Sequence, residues 1–296
     1  MPAETLTDCS RFFDHRCLDT MLAECLDWYE AWYGSFDRER LAAGITMTKD
    51  LFAGQFPGYA ACNTDYHDWN HTGDVLVATI RLLDGYNLTS TPLPPALAAD
   101  LCSAALLHDS GYIQEASDTN GTGAKYTRHH VARSTTFARQ HGLAFGLTPS
   151  AAERVGRLIE VTDLQTKSLP GTDTQEASAA ALLGSADLLG QMADRTYLEK
   201  LLFLYFEFRE AGFPGYETEF DILRQTQRFY KSTQDRLAKF LLDSQHHAAR
   251  HFHERYGTSG NPYLESITHQ MAYLDAIIAD DKTNFRKKLK RLDLGA

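Results

Sequence analysis

Apolar residues recur at three- and four-residue spacing along nearly the whole chain, and no run alternates long enough to build a sheet. Residues 12–33 place Phe12, Phe13, Leu18, Met21, Leu22, Cys25, Leu26, Tyr29 and Trp32 on one face, which predicts an amphipathic helix. Asp74–Leu83 is also amphipathic, and Leu97–Leu107 is almost wholly apolar, the pattern of a buried helix. Thr148-Pro149-Ser150 with Glu153 supplies an N-cap, a proline at the first helical position and capping-box chemistry for a helix running to about Asp163. Ala177–Met192 and Tyr197–Phe208 predict two more helices. Breaks fall at Thr89–Pro95, Asn120–Gly123, Pro170-Gly171 and Gly212–Gly215, with no internal repeat and no low-complexity linker. These patterns predict an all-α protein. We expect a main domain over 51–245, an N-terminal helical extension over 1–50 and a C-terminal helical extension with a basic tail over 246–296.

Three of the apolar segments carry groups that do not belong in a core. His71 closes Tyr66-His67-Asp68-Trp69-Asn70, His108-Asp109 ends the Leu97–Leu107 run, and Asp187 lies inside Ala179–Leu189. A polar or charged group in such surroundings is costly, on the order of several kcal/mol, unless it is paired or binds a metal. A divalent ion held by two imidazoles and two carboxylates satisfies all four groups at once. Each residue also has a plainer account. His67 and His71 suit a solvated helix face, His108 a helix C-terminus where it meets the dipole, and Asp109 a turn. A lone carboxylate at Asp187 would be uncompensated with a raised pKa, which either a metal or a histidine partner would resolve.

Local geometry adds further expectations. His67 and His71, four residues apart, would share one helical face. Asp74 would accept a hydrogen bond from a ligand imidazole. Adjacent residues point about 100° apart on a helix, so His108 and Asp109 reach one ion only where the helix ends. Gly111 is the predicted terminator.

Composition narrows the function classes. Hydrophobic residues make up 43% and charged residues 23%, which argues for a folded globular chain. The net charge of −10 argues against nucleic acid or an anionic membrane as partner, although a bound dication can reverse the sign of one cleft. Five cysteines with no C-x-x-C pair predict reduced thiols. Met1-Pro2-Ala3-Glu4-Thr5 has no leader character, and no apolar run reaches the roughly 18 residues of a membrane span. We therefore expect a cytoplasmic protein without membrane contact.

Tyr66-His67-Asp68-Trp69-Asn70-His71-Thr72-Gly73-Asp74-Val75 resembles the Y-H-N-x-x-H-x-x-D-V signature of cyclic nucleotide phosphodiesterases. The order H…HD…D, over roughly residues 60–190, is similar to the HD superfamily of metal-dependent phosphohydrolases, to which those enzymes belong. The resemblance implies an HD-domain/PDEase-like helical bundle with His71, His108, Asp109 and Asp187 as metal ligands. It makes His67 the acid that protonates the leaving oxygen. Asp109 would bridge to a second, weakly held ion. The set suits Zn, Mn, Fe, Ni or Mg. His129-His130 falls where phosphodiesterases carry Glu-Asn-His-His, with Thr127-Arg128 in place of Glu-Asn. Phosphodiesterases also place a histidine four residues after the HD histidine, where this chain has Tyr112. The iron-oxygenase branch carries two further histidines. His129 or His130 supplies one, whereas Ile159–Asp163 lacks the other and offers only Glu160 or Asp163 to a second ion.

The expected activity is hydrolysis of a small phosphoester, a nucleotide or related diester or monoester, with Lys125, Arg128, His129 and His130 as candidates to hold phosphate and Arg133 a further nearby base. The alternatives are an HD-type iron oxygenase and a helical regulator that keeps a structural metal. The oligomeric state is left open.

Other features read as structural. His246, His247, His251 and His253 sit among Arg250, Glu254 and Arg255 as a solvated helix face, and the basic tail after Phe285 as a fraying helix. Cys9, Cys17 and Cys25 recur every eight residues as small core hydrophobes. Phe203–Phe208 reads as core or a subunit contact, Ser117–Ala124 as a lid or a connector, and Gln225, Gln227 and Phe229 as a faint echo of a purine clamp.

Overall fold

The computed structural model describes residues 12–171, 174–280 and 282–292. The protein is all-α. Its helices are α1 (Leu18–Tyr33), α2 (Ser35–Phe52), α3 (Trp69–Thr89), α4 (Pro95–Leu107), α5 (His130–His141), α6 (Pro149–Ile159), α7 (Thr174–Ala193), α8 (Tyr197–Glu210), α9 (Glu219–Lys239), α10 (His247–Tyr256) and α11 (Pro262–Ala279). Among the described residues there is no strand, and Tyr59 and Glu115 form an isolated bridge. No helix of the described residues is long and apolar enough to cross a membrane.

α3 is the axis of the bundle. Every residue from His71 to Gly85 is buried, so this helix presents no solvated face and must be covered all round. α1, α4, α7 and α10 supply that cover. The approach of α7 is close because Gly190 has no side chain: a Cβ there would lie 3.2 Å from the Asp74 backbone. One continuous core runs from Phe12 to Leu289 and draws on all three segments, 1–50, 51–245 and 246–296.

Local signals explain the helix starts. Thr148 caps α6 by accepting from the Ala151 amide at 3.2 Å, and Pro149 occupies the first helical position. The expected capping box does not form, because with Thr148 as the cap the third helical position is Ala151, and Glu153, two residues further on, pairs with Arg139 at 2.9 Å.

α10 corrects the expectation of a solvated face. His246 and His253 are exposed, but His251 is fully buried and its Nδ1 donates to Asp84 on α3 at 2.7 Å. Arg255 and Trp32 donate to the same carboxylate at 2.6 and 2.8 Å. Burial opposes the Asp84 charge, yet these partners hold its pKa down to about 2. Burial pushes His251 down to about 4. The C-terminal tail is likewise not a fraying helix. After a short 3-10 turn (Phe285–Lys287) it crosses the bundle with Leu289 buried, and the Arg291 amide donates to the buried Glu199 at 3.1 Å. Cys25 is buried in α1 while Cys17 is exposed before it, and Cys9 lies outside the described residues.

Candidate metal centre

Asp68 sets where α3 begins. Its carboxylate accepts from the His71 amide at 2.9 Å, which places His71 in the first turn. His67 lies one residue before the cap, outside the helix, so the predicted shared helical face does not exist. α4 ends at Leu107, and the chain turns through Asp109 (φ −108°, ψ 8°) into a 3-10 turn over Ser110–Tyr112. Gly111 does not end the helix by a left-handed cap. It lets the turn press on α5, since a Cβ there would stand 2.0 Å from the His130 carbonyl oxygen. Asp187 projects from the middle of α7, which Gly190 allows to lie against α3.

These three elements bring four side chains together. His71 Nε2 and His108 Nε2 are 3.4 Å apart, and Asp109 Oδ2 is 3.3 Å from each. Asp187 Oδ1 is 3.5 Å from His71 Nε2 and 3.8 Å from His108 Nε2. Ligand atoms of His71, His108 and Asp187 all lie within 4.8 Å of one another. His108 Nδ1 donates to the Ala105 carbonyl at 2.8 Å, which leaves Nε2 as the lone-pair nitrogen facing the cluster. Asp109 Oδ2 is buried and accepts no hydrogen bond.

That donor set fits a divalent ion. A buried carboxylate oxygen without a donor is costly, and a cation at this convergence would satisfy it together with both imidazoles. The protonation states show the same excess of negative potential. Burial disfavours an imidazolium at His108, but Asp109 beside it and Asp187 beyond push it up to about 9. Burial also opposes the Asp109 charge, and His108 and His71 overcome this to hold it well below the usual carboxylate range.

Next to the cluster stands a second arrangement that the sequence did not reveal. His67 Nδ1 lies 2.6 Å from Glu207 Oε2, and the other oxygen of Glu207 accepts from the amides of Tyr66 (2.8 Å) and His67 (3.4 Å). Glu207 is buried on α8, within the aromatic run read as core or a subunit contact. Burial lowers the His67 pKa, but Glu207 and then the more distant Asp109 and Asp187 raise it on balance. Tyr112 stacks on His67 with centroids 4.2 Å apart and planes at 12°. His130 stacks on Tyr112 in turn, and its Nε2 is 3.8 Å from Asp109 Oδ1.

The other candidates go elsewhere. Lys125 is held by Asp118 at 2.7 Å and by the Asn120 carbonyl. Arg128 caps the end of α8, donating to the Ala211 and Gly212 carbonyls at 3.2 and 2.7 Å. Arg133 donates to the Gly111 and Ile113 carbonyls at 2.8 and 3.1 Å. His129 is exposed and lines a surface cleft of about 210 Å³ with Tyr59 and Glu115. Of the phosphate candidates, His130 is the one whose side chain reaches the cluster. Asp74 forms no hydrogen bond to the His71 or His108 imidazole; the charged groups that act on it are Asp194, Lys200, Asp68 and Arg81, and burial raises its pKa. Glu160 is directed to Arg139 (3.9 Å), and Asp163 accepts from the Gln165 amide (2.8 Å). Gln227 is drawn to Asp275 at 2.5 Å. The loop 117–124 is a pinned connector, tied to α8 through Glu210 and the Thr122 hydroxyl at 2.6 Å.

A family model described as Npun_R2479-like matches residues 115–251. The match covers somewhat under half of the chain and includes His130, Asp187 and Glu207 but not His67, His71, His108 or Asp109. That family has no assigned function. No curated protein matches the chain.

Proposed function

We propose that His71, His108, Asp109 and Asp187 hold one divalent transition ion, and that the chain is a metal-dependent phosphoester hydrolase whose site resembles that of the HD superfamily. One observation carries the reading: the Nε2 atoms of His71 and His108 stand 3.4 Å apart with an Asp187 oxygen 3.5 and 3.8 Å from them, and the buried Asp109 Oδ2, which accepts no hydrogen bond, lies 3.3 Å from each. When bound, such an ion supplies positive charge for developing oxyanions and lowers the pKa of a coordinated water to near 7.

The remaining work falls to the side chains. His67, with Nδ1–H committed to Glu207, donates its Nε2 proton to the leaving oxygen. Glu207 fixes that tautomer and stabilises the imidazolium until the proton leaves. Asp109 divides its oxygens, Oδ2 toward the ligand imidazoles and Oδ1 toward His130, where a second, weakly held ion would sit. The substrate is a small phosphoester, a nucleotide or related diester or monoester, and reduced thiols fit a cytoplasmic setting. His67→Ala tests this reading: it should keep its fold and metal while losing hydrolysis, and retained turnover would refute the assigned acid.

The position of His130 favours a second reading, an iron-dependent oxygenase with a two-ion centre. Turnover of a phosphoester without oxygen separates the two.

A further inference from the structure

We infer that Tyr112 is the positioning residue that sets the plane of the His67 ring and so aims its Nε2 proton. A histidine tied through a single ring nitrogen is still free to pivot about that hydrogen bond. The Cβ–ring torsion of histidine is soft and does not prevent the motion. Glu207 supplies one tie, at 2.6 Å from Nδ1, which limits rotation about the Cβ–ring bond and leaves the tilt of the ring to its packing. The second constraint comes from Tyr112, whose ring lies 4.2 Å from that of His67 and within 12° of parallel.

Tyr112 is suited to the task because it is buried and braced on several sides. It is 1% exposed and sits in the 3-10 turn that follows Asp109. The Gly111 amide donates to Ser134 Oγ at 2.9 Å, and Arg133 donates to the carbonyls on both sides of the tyrosine. His130 covers another part of the ring at 4.6 Å and 25°. The electron-rich face of the phenol also favours a protonated imidazole lying on it.

The hydroxyl is not the working group. It lies 3.4 Å from His67 Nε2, but across two nearly parallel rings, so it is above the imidazole plane. The Nε2 proton points within that plane and remains available. The catalytic consequence rests on the hydrolase reading; the orientation of the ring does not.

The experiment uses full-length protein with Tyr112→Phe, which keeps the stack, and Tyr112→Leu, which removes it. The first readout is the proton spectrum of the His67 ring in metal-free protein, assigned by comparison with His67→Gln. An upfield ring-current displacement is expected in wild type and Tyr112→Phe, and its loss in Tyr112→Leu. Undisplaced resonances in wild type, or displaced ones in Tyr112→Leu, overturn the inference. If Tyr112→Leu does not fold, the wild-type and Tyr112→Phe spectra decide alone. The second readout is turnover of a chromogenic phosphodiester after manganese loading. Tyr112→Phe should stay within about threefold of wild type, and Tyr112→Leu should lose kcat by roughly tenfold or more with KM within about twofold. A fall in Tyr112→Phe as deep as that in Tyr112→Leu would make the hydroxyl the active group and overturn the positioning role. Ring shifts as expected with no ester hydrolysed by wild type would sink the hydrolase reading and leave the orientation standing.

Discussion

Glu207→Gln is the most informative single change beside the proposed metal site. The substitution keeps the size of the side chain and one carbonyl oxygen for the Tyr66 amide, which lies 2.8 Å from Glu207. It removes the negative charge 2.6 Å from His67 Nδ1 at a site where the Glu207 side chain is 5% exposed. A hydrogen bond to a charged group is worth about 1.5–3 kcal/mol, which is roughly a 10- to 150-fold change in the population of the held, protonated ring. We predict a fall in kcat of that order with metal content and KM unchanged. The pH dependence follows from the sign of the shift. Burial lowers the His67 pKa and Glu207 raises it on balance, so losing Glu207 lowers it. A general acid must carry its proton, and activity is lost as pH rises through its pKa. The alkaline limb of the pH–rate profile should therefore move to lower pH in Glu207→Gln, and the His67 ring should titrate lower by NMR. An unmoved limb together with kcat within about twofold of wild type would refute the role given to Glu207.

Three further outcomes concern the scaffold. The folded pKa of His251 is depressed to about 4 from an ordinary 6.5, so the unfolded chain takes up the proton first and stability, full above 6.5, declines as pH falls toward 4. The loss should approach about 3 kcal/mol in urea titrations, and an equally steep pH dependence in His251→Gln would contradict the assignment. Gly111→Ala should cost about 1–3 kcal/mol and reduce metal content, because the new methyl group would stand 2.0 Å from the His130 carbonyl oxygen; unaltered melting and metal content would count against the tight approach. Ending the chain after Asn284 removes buried Leu289 and strips the Arg291 amide from Glu199, and should lower stability by roughly 3 kcal/mol or more; an unchanged urea midpoint would mean that the tail does not brace the bundle.

Much of the fold was legible because helical periodicity is a local property. Three of the four candidate ligands stood out because Asp187 and His108-Asp109 break apolar runs, which a sequence shows directly. What stayed hidden depends on partners distant in the chain. Glu207 reaches His67 across 140 residues, and within Phe203–Phe208 it is a lone acid among aromatics. That isolation was the one available signal. His251 was misread because Arg250, Glu254 and Arg255 surround it in sequence, while Asp84, which buries it, comes from another helix. Lys125, Arg128 and Arg133 looked free because a sequence displays charge and not the carbonyls that consume it. The misplacement of His67 was avoidable. Asp68 before Trp69-Asn70-His71 is an N-cap signature that puts its preceding residue outside the helix.

The proposed metal site is built from His71, His108, Asp109 and Asp187. Its decisive test is elemental analysis of the purified wild-type protein beside His108→Ala. Wild type should carry about one transition ion per chain and His108→Ala should lose it, with metal-dependent phosphate release confined to wild type. A wild-type protein that neither carries nor takes up a divalent ion, or a His108→Ala variant that retains one fully, would contradict it.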